Sequence, residues 1–562
     1  MAAPAAVRNS LLARYRRGAG LGSAGRGVFL LALTGLILLP LLVPFFSLGS
    51  AAADTWSHLA GTVLPRYVLN TVALAGGSAL LAGLIGVVSA WTVSQYEFPG
   101  RRILRWALVL PLALPLYVAA QAFGGLFAYT GPVNSLWAGV YRLFAGGTAG
   151  AGGAAGAGGT VPYLSIRNLP GLIAISGLTL FPYVYLTVRN WFESQGARLL
   201  EAGRTLSSER ALVFRLGVPI SRPALVGGLA LVVMETLNEY GAPLHFGVST
   251  LTTGIFRTWF ALADVQAALR LAALLLVFVF LLLLFERVFR GRARFAPDAP
   301  SGAPISRRRL RGARAWGVTA LTALPVLLGF LAPVWQLLDW GRHAGLDRWT
   351  TLLALTGRSI GLAAAAAVGI VLVALILAHQ ARQLPRSLGM PVTQTATVGY
   401  AVPGAVIAIG VLQFGRVVSA GLSGAALIGT VGLLLGAYLI RFLGVAYHPG
   451  QAAFDLTGNR VRESARALGS SSLGALLRAE LPMMGRVVGG AVVLVFVDVL
   501  KELPLTLILR PFNFETLATA TFRLAGDERM VQASVPALLL VAAGCLAVLV
   551  LDRVLGGSNG SR

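Results

Sequence analysis

Four carboxylates stand at matched places in this 562-residue chain. Glu235 and Glu239 are four residues apart, as are Asp498 and Glu502, and that spacing puts each pair on one helical face. Both pairs lie in or beside apolar runs, where ionised groups are costly and usually face a bundle interior or a wet cavity. Carboxylate oxygens suit a hard cation. Asn238 and Lys501 stand beside them, so the set is not a plain anionic ring. Two readings stay open. The six residues line a translocation pathway, or they form a polar network that ties two halves together or positions an outer gate. His245, in the outer segment Pro243-Leu244-His245-Phe246, is a lone histidine, and no metal ligand is firmly assigned. The chain has no catalytic triad, zinc spacing or Gly-rich nucleotide loop. Its sole lysine, Lys501, follows Leu500, so it carries no G-K-[ST] phosphate loop. Any ATP that drives it must be brought by another subunit, and the chain itself reads as no enzyme.

A second chemistry is written twice. Residues 201–219 read EAGRTLSSERALVFRLGVP and residues 463–482 read ESARALGSSSLGALLRAELP. Each starts with Glu and two small residues, which let a partner surface approach closely. Each ends on Pro before an apolar span, where a missing N–H costs little. Gly469 supplies a permissive turn in the second copy. The duplication runs further: METLNEYG (234–241) matches VDVLKELP (497–504), and Phe256-Arg257 matches Phe522-Arg523. A polar surface kept twice implies two copies of a cytoplasmic partner.

The elements that must hold these residues are membrane helices. The chain is 56% hydrophobic and 12% charged, with mean hydropathy +0.77, about half the charge of a soluble domain. Twelve apolar spans are predicted near 28–46, 68–91, 106–127, 169–189, 223–241, 266–286, 316–336, 358–379, 391–413, 424–446, 487–507 and 533–552. The first is read as a retained helix rather than a cleaved leader. The net charge of +25 collects at the N-terminus and at the exits of even-numbered spans. That is the positive-inside pattern, not a nucleic-acid surface, and it puts both termini in the cytoplasm. Six spans per half make a parallel repeat: a first half 1–286, a cytoplasmic linker 287–315 and a second half 316–562. Cys545 lies alone in an apolar span, so no internal disulfide forms. The low-complexity stretch Gly146–Gly159 reads as a tolerated outer insertion.

The doubled polar segment resembles the EAA loop of ABC-importer permeases: Glu, two small residues, Gly at +6, Leu-Pro at +18 and +19. The second copy fits with Glu463, Ala465, Gly469, Leu481 and Pro482, and Ser464 is a conservative departure. The first is looser. Glu201 and Ala202 fit, Gly203 stands for the second Ala, Ser207 for the Gly, and Pro219 comes one residue early. The segments 234–260 and 495–519 resemble those of fused ferric-iron permeases, along nearly the whole chain. The resemblance implies an all-α, type I importer fold in a bacterial inner membrane. It implies two cytoplasmic ATPase subunits docked at 201–219 and 463–482, using ATP and Mg, and an extracytoplasmic iron-binding protein. This chain would bind no cofactor of its own. The runner-up cargo is thiamine or another small organic cation. From another class, the chain would be an ion-coupled carrier whose acidic pairs hold coupling ions.

Overall fold

The computed structural model describes residues 28, 30, 32–49, 54–144, 161–194, 203, 208, 211–290, 307–345, 349–382, 386–421 and 428–556. Among them, ten helices are long and apolar enough to cross a membrane, or up to twelve if two bent pairs each count as one span.

Besides two shorter helices, Asp54–Thr62 and Pro132–Phe144, the first half has α1 (Ala32–Gly49), α2 (Leu64–Gln95), the pair α3 (Arg101–Ala113) and α4 (Leu116–Leu126), α5 (Leu169–Ser194), and the pair α6 (Leu212–Ile220) and α7 (Arg222–Asn238). Short α8 (Gly241–His245) and α9 (Leu251–Phe256) follow, then α10 (Val265–Arg290). The second half repeats this order. It has α11 (Gly312–Arg342), α12 (Trp349–Ala381), α13 (Arg386–Ala401) with α14 (Gly404–Gly421), α15 (Val431–Ala467) and α16 (Leu476–Lys501). It closes with α17 (Pro504–Leu509), α18 (Leu517–Gly526) and α19 (Met530–Gly556).

The third span of each half is broken. The chain bends by 96° between α3 and α4, at Pro115, which has no N–H to continue the ladder. Pro403 stands at the same place in the repeat. The ninth span therefore runs over 404–421 rather than 391–413, with α13 as a separate helix before it. The fifth span also bends, by 68°, between α6 and α7. Matched contacts show that the repeat is structural. Tyr185 Oη donates to the Arg105 carbonyl at 2.9 Å, and Tyr447 Oη lies 2.9 Å from Thr393 Oγ1. Both α9 and α18 start with a capping box, Thr250/Thr253 and Thr516/Thr519.

The helices gather into two compact units, and these are not the two halves of the sequence. One holds residues 51–357 and 515–548. Its centre is α2 against α5 and α7, close enough that a methyl on Gly86 would sit 2.7 Å from Val184 Cβ; small residues permit such approaches in membranes. Helix α11 lies in this unit, its Trp340 ring filling the space beside Gly125 of α4. The other unit holds 358–514 with α1 and the end of α19. Here α15 packs on α13 and α16, α14 packs on α17, and the Pro40 carbonyl of α1 abuts Gly410 of α14. Each half thus gives its first helix to the unit built mainly from the other half. The predicted linker shrinks at both ends: α10 runs to Arg290, and Arg308–Arg309 form β2, paired in parallel with β1 (Tyr96–Glu97) before α11 starts.

Candidate coupling segments and helix breaks

The second candidate coupling segment grows out of a membrane helix. Helix α15 bends at Gly458, whose φ of 69° is left-handed, a conformation open to Gly without steric cost. Residues 459–467 then form a separate helical stretch that carries Glu463, Ser464 and Ala465; the first two are exposed and the third half-buried. Gly469 ends it with φ 88°. The Gly469 N–H donates to the Arg466 carbonyl and the Ser470 N–H to the Ala465 carbonyl, both at 3.0 Å. This is a Schellman cap, which satisfies carbonyls the helix end would leave bare. Leu468 at the tip is 87% exposed. The return path is a short helical turn, Ser472–Ala475, and a π-turn, Leu476–Glu480, before Leu481 and Pro482 open the regular part of α16.

Glu480 is fully buried at this root. Arg382 Nη2 donates to it at 2.6 Å, and His379 Nδ1 lies 3.8 Å away. The Arg382 guanidinium sits 4.0 Å from the centre of the Phe454 ring, a cation–π distance. The end of α12, the kinked part of α15 and the start of α16 are joined by one buried charge cluster.

In the first segment, Glu201, Ala202 and Ser207 lie outside the described residues. Gly203 is helical and so close to Leu212 and Leu216 that a methyl would collide with both, which gives a packing reason for its departure from Ala. A π-turn recurs at Leu212–Gly217, ahead of Pro219. Such turns absorb one residue of register. The place of Glu480 is taken by Gly217, where a methyl would meet Trp91 at 2.6 Å, and Trp91 makes an edge contact with Phe192 at 5.4 Å. Trp91 and His379 are the same position in the repeat, as are Phe192 and Phe454. One half closes this junction with an aromatic ring on glycine, the other with buried ions. Gly458, His379, Arg382 and Glu480 also build this junction, and none of them is among the candidates that the sequence motif marks. The signal was Gly five residues before each Glu, at 196 and 458.

The acidic residues sit where helices stop. Backbone turns extended at Glu239 (ψ 130°) and at Glu502 (ψ 122°). Glu239 Oε1 accepts the Ala242 N–H at 3.1 Å and Glu502 Oε1 accepts the Leu505 N–H at 3.2 Å, so each caps the short helix that follows. Glu502 also takes Arg441 Nε at 3.2 Å, with both side chains buried, and Arg441 donates to the Val402 carbonyl at 2.6 Å. Asp498 pairs with Lys501 at 3.0 Å. Asn238 is buried, and Glu235 is half-buried on α7. The structure brings Asp498, Lys501 and Glu502 together in one unit, and Glu235, Asn238 and Glu239 in the other. Next to Glu239, Tyr240 stacks on Phe256 at 3.7 Å and lies 5.4 Å from Phe522, touching both copies of one repeat position. Tyr240, Phe256 and Arg257 help line a cavity of about 330 Å³. His245 is beside Arg167 and Gly124; burial first, and the Arg167 charge second, push its imidazole down to about 4, which keeps it neutral. Among the described residues no three His, Cys, Asp or Glu side chains gather as a metal group.

Comparison with known proteins fits this architecture. No protein-family model matches the chain. The chain is 24% identical over 532 residues to the Fe(3+)-transport system permease protein FbpB 2 of Haemophilus influenzae, covering 92% of this chain and 96% of that one. The sulfate transport permease CysT of Salmonella typhimurium is 29% identical over 218 residues, 38% of this chain and 71% of its own length. A probable molybdenum ABC transporter permease of Haloferax volcanii is 27% identical over 266 residues, 45% of this chain and 89% of its own. These relatives are transport permeases, and the twice-repeated set of long apolar helices is that of a multi-pass membrane protein. Over nearly its whole length the chain is similar to the fused, two-half permeases of ABC importers.

Proposed function

We propose that this chain forms the translocation pathway of an ATP-driven importer for ferric iron in a bacterial inner membrane. The observation that carries this reading is the second coupling segment. A helical stretch breaks out of α15 at Gly458, presents Glu463, Ser464 and Leu468 to solvent, and returns directly into α16. A partner that grips this stretch moves two membrane helices at once. Two ATPase subunits, which hold the ATP and Mg, dock at 201–219 and 463–482, with both termini on their side. An extracytoplasmic binding protein delivers cargo to the opposite face. ATP binding closes the ATPase pair, draws the coupling segments together and turns the pathway outward; hydrolysis resets it. Each six-helix half, 1–286 and 316–562, stands for one permease subunit.

Iron is supported by the relative that shares the whole fused length. The sulfate and molybdenum relatives span 38% and 45% of the chain, about one half each. The carboxylates at the helix breaks agree better with a cation than with an oxyanion. The pathway reading of Glu235, Asn238, Glu239, Asp498, Lys501 and Glu502 rests on their position in the repeat. Proteoliposomes holding the permease, its ATPase and its binding protein test the proposal with labelled ferric iron, thiamine and sulfate offered separately. ATP-dependent uptake of iron alone, lost in Glu463→Ala, is the expected result. Uptake of thiamine or sulfate without iron overturns the cargo, and uptake driven by an ion gradient without ATP overturns the mechanism.

A further inference from the structure

A second charged cluster lies at the end of α5, ahead of the first coupling segment. Arg101 and Arg105 on α3, Arg189 on the last turns of α5, and Arg307 just before β2 surround two carboxylates, Glu97 and Glu193. Four guanidinium charges face two carboxylate charges. The carboxylates do not satisfy them. Glu193 takes one short contact, Arg105 Nη2 at 3.0 Å, and stands 3.8 Å from Arg189 Nε and 3.7 Å from Arg307 Nη2. Glu97 stands 3.4 Å from Arg101 Nη1. Other donors are spent locally: Arg101 Nε on the Val93 carbonyl, Arg189 Nη1 on Tyr185 Oη and Arg189 Nη2 on Asn190.

Every one of the four arginines still keeps a buried nitrogen without a hydrogen-bond partner among the described residues. These are Arg101 Nη2, Arg105 Nε, Arg189 Nε and Arg307 Nε. The side chains of Arg101 and Arg189 are only 7% and 8% exposed. A buried donor left bare is costly, and most such groups in folded proteins are paired or meet an ion. Glu193 Oε1 is bare in the same cluster, but one acceptor does not match four donors, and the surplus positive charge favours an anion of matching geometry. The planar guanidinium fork suits phosphate oxygens, which accept several charge-assisted hydrogen bonds together. The depth agrees: the spans α2 and α5 end at Gln95 and Glu193, so the cluster lies at the edge of the apolar layer, where lipid phosphates sit.

We propose that Arg101, Arg105, Arg189 and Arg307 form a binding site for a net-anionic phosphate group, either the headgroup of an acidic phospholipid or soluble phosphate. The site joins β1, the end of α5 and the strand that follows the linker. Occupancy therefore braces the base from which the first coupling segment departs. It has no counterpart at the matching positions of the second half, where Thr393 and Gln451 replace Arg105 and Arg189.

The test uses the purified full-length permease and reads its thermal unfolding and its binding of labelled inorganic phosphate at constant ionic strength. A second arm compares nanodiscs of phosphatidylcholine with and without phosphatidylglycerol. Saturable stabilisation by inorganic phosphate assigns the site to the soluble ion; stabilisation by phosphatidylglycerol alone assigns it to the lipid. In both cases Arg307→Gln, a partly exposed and foldable variant, weakens the effect by about tenfold, the loss of one charge-assisted contact. Arg102→Gln, on the exposed side of α3, leaves it intact. No stabilisation by either probe beyond chloride and phosphatidylcholine controls overturns the site. Equal losses in Arg307→Gln and Arg102→Gln also overturn it, because they reveal diffuse charge attraction.

Discussion

Glu480 and Gly217 occupy one position in the repeat and solve one problem in two ways. The junction between a coupling segment and its membrane helix must be filled. Trp91 does so over Gly217, whereas His379 and Arg382 do so around Glu480. Removing one member of a buried ion cluster leaves the others uncompensated, at about 3–5 kcal/mol. Glu480→Gly is therefore expected to lower the unfolding temperature sharply. Adding His379→Trp and Arg382→Ser, which copies Trp91 and Ser94 from the first half, is expected to recover much of the loss in the same melting experiment. Failure of the triple variant to exceed the single one would show that the two junctions are not interchangeable. This difference was hidden in the sequence. Gly469 was legible because a helix that turns back needs a left-handed residue. A Glu before Leu-Pro gives no sign of its burial, since its partners come from a helix about a hundred residues earlier. The carboxylates at 239 and 502 were legible as a matched pair, but their capping of the next short helix depends on a helix break that the four-residue spacing concealed.

At the scale of elements, the proposed coupling segment depends on two left-handed glycines that bracket a helix of about nine residues. Gly458 aims it away from α15 and Gly469 stops it. A side chain at Gly469 places a Cβ in the left-handed region, costing about 1–2 kcal/mol. Gly469→Ala is expected to leave membrane insertion intact and to reduce ATP-dependent uptake severalfold, with weaker cross-linking between a cysteine at Glu463 and the ATPase. Unchanged uptake and cross-linking would remove the turn from the coupling path. Eleven of the twelve predicted spans have a single apolar helix behind them or a bent pair at the predicted place, because 20-residue apolar runs have few other fates. The ninth moved because Pro403 sits inside an apolar stretch and hydropathy does not register a missing N–H. The π-turns before Pro219 and Pro482 left no mark in hydropathy either.

For the whole molecule, the exchange of first helices between halves sets the terms of stability. Helix α1 belongs with residues 358–514, and α11 with residues 51–357. The repeat told which segments correspond; it did not tell which ones touch, because corresponding helices have the same pattern whichever unit receives them. Neither half carries a complete unit. A chain ending at residue 290 is expected to accumulate poorly and to be cleared by proteolysis. Co-expression with residues 307–562 is expected to restore both fragments as one complex that melts near the intact protein. An isolated first half that stays folded and protease-resistant would contradict the exchange.

The same exchange imposes a waiting time during synthesis. Helix α1 leaves the ribosome first, yet α14, whose Gly410 receives its Pro40, is made some 370 residues later. At about 5–20 residues per second, α1 spends roughly 20–75 s in the bilayer before its neighbour exists. Its exposed leucines suit that interval, since lipid tails cover them as well as protein does. The first helix is a lodger in the membrane long before it is part of a structure, and the insertion machinery has to leave it free to travel.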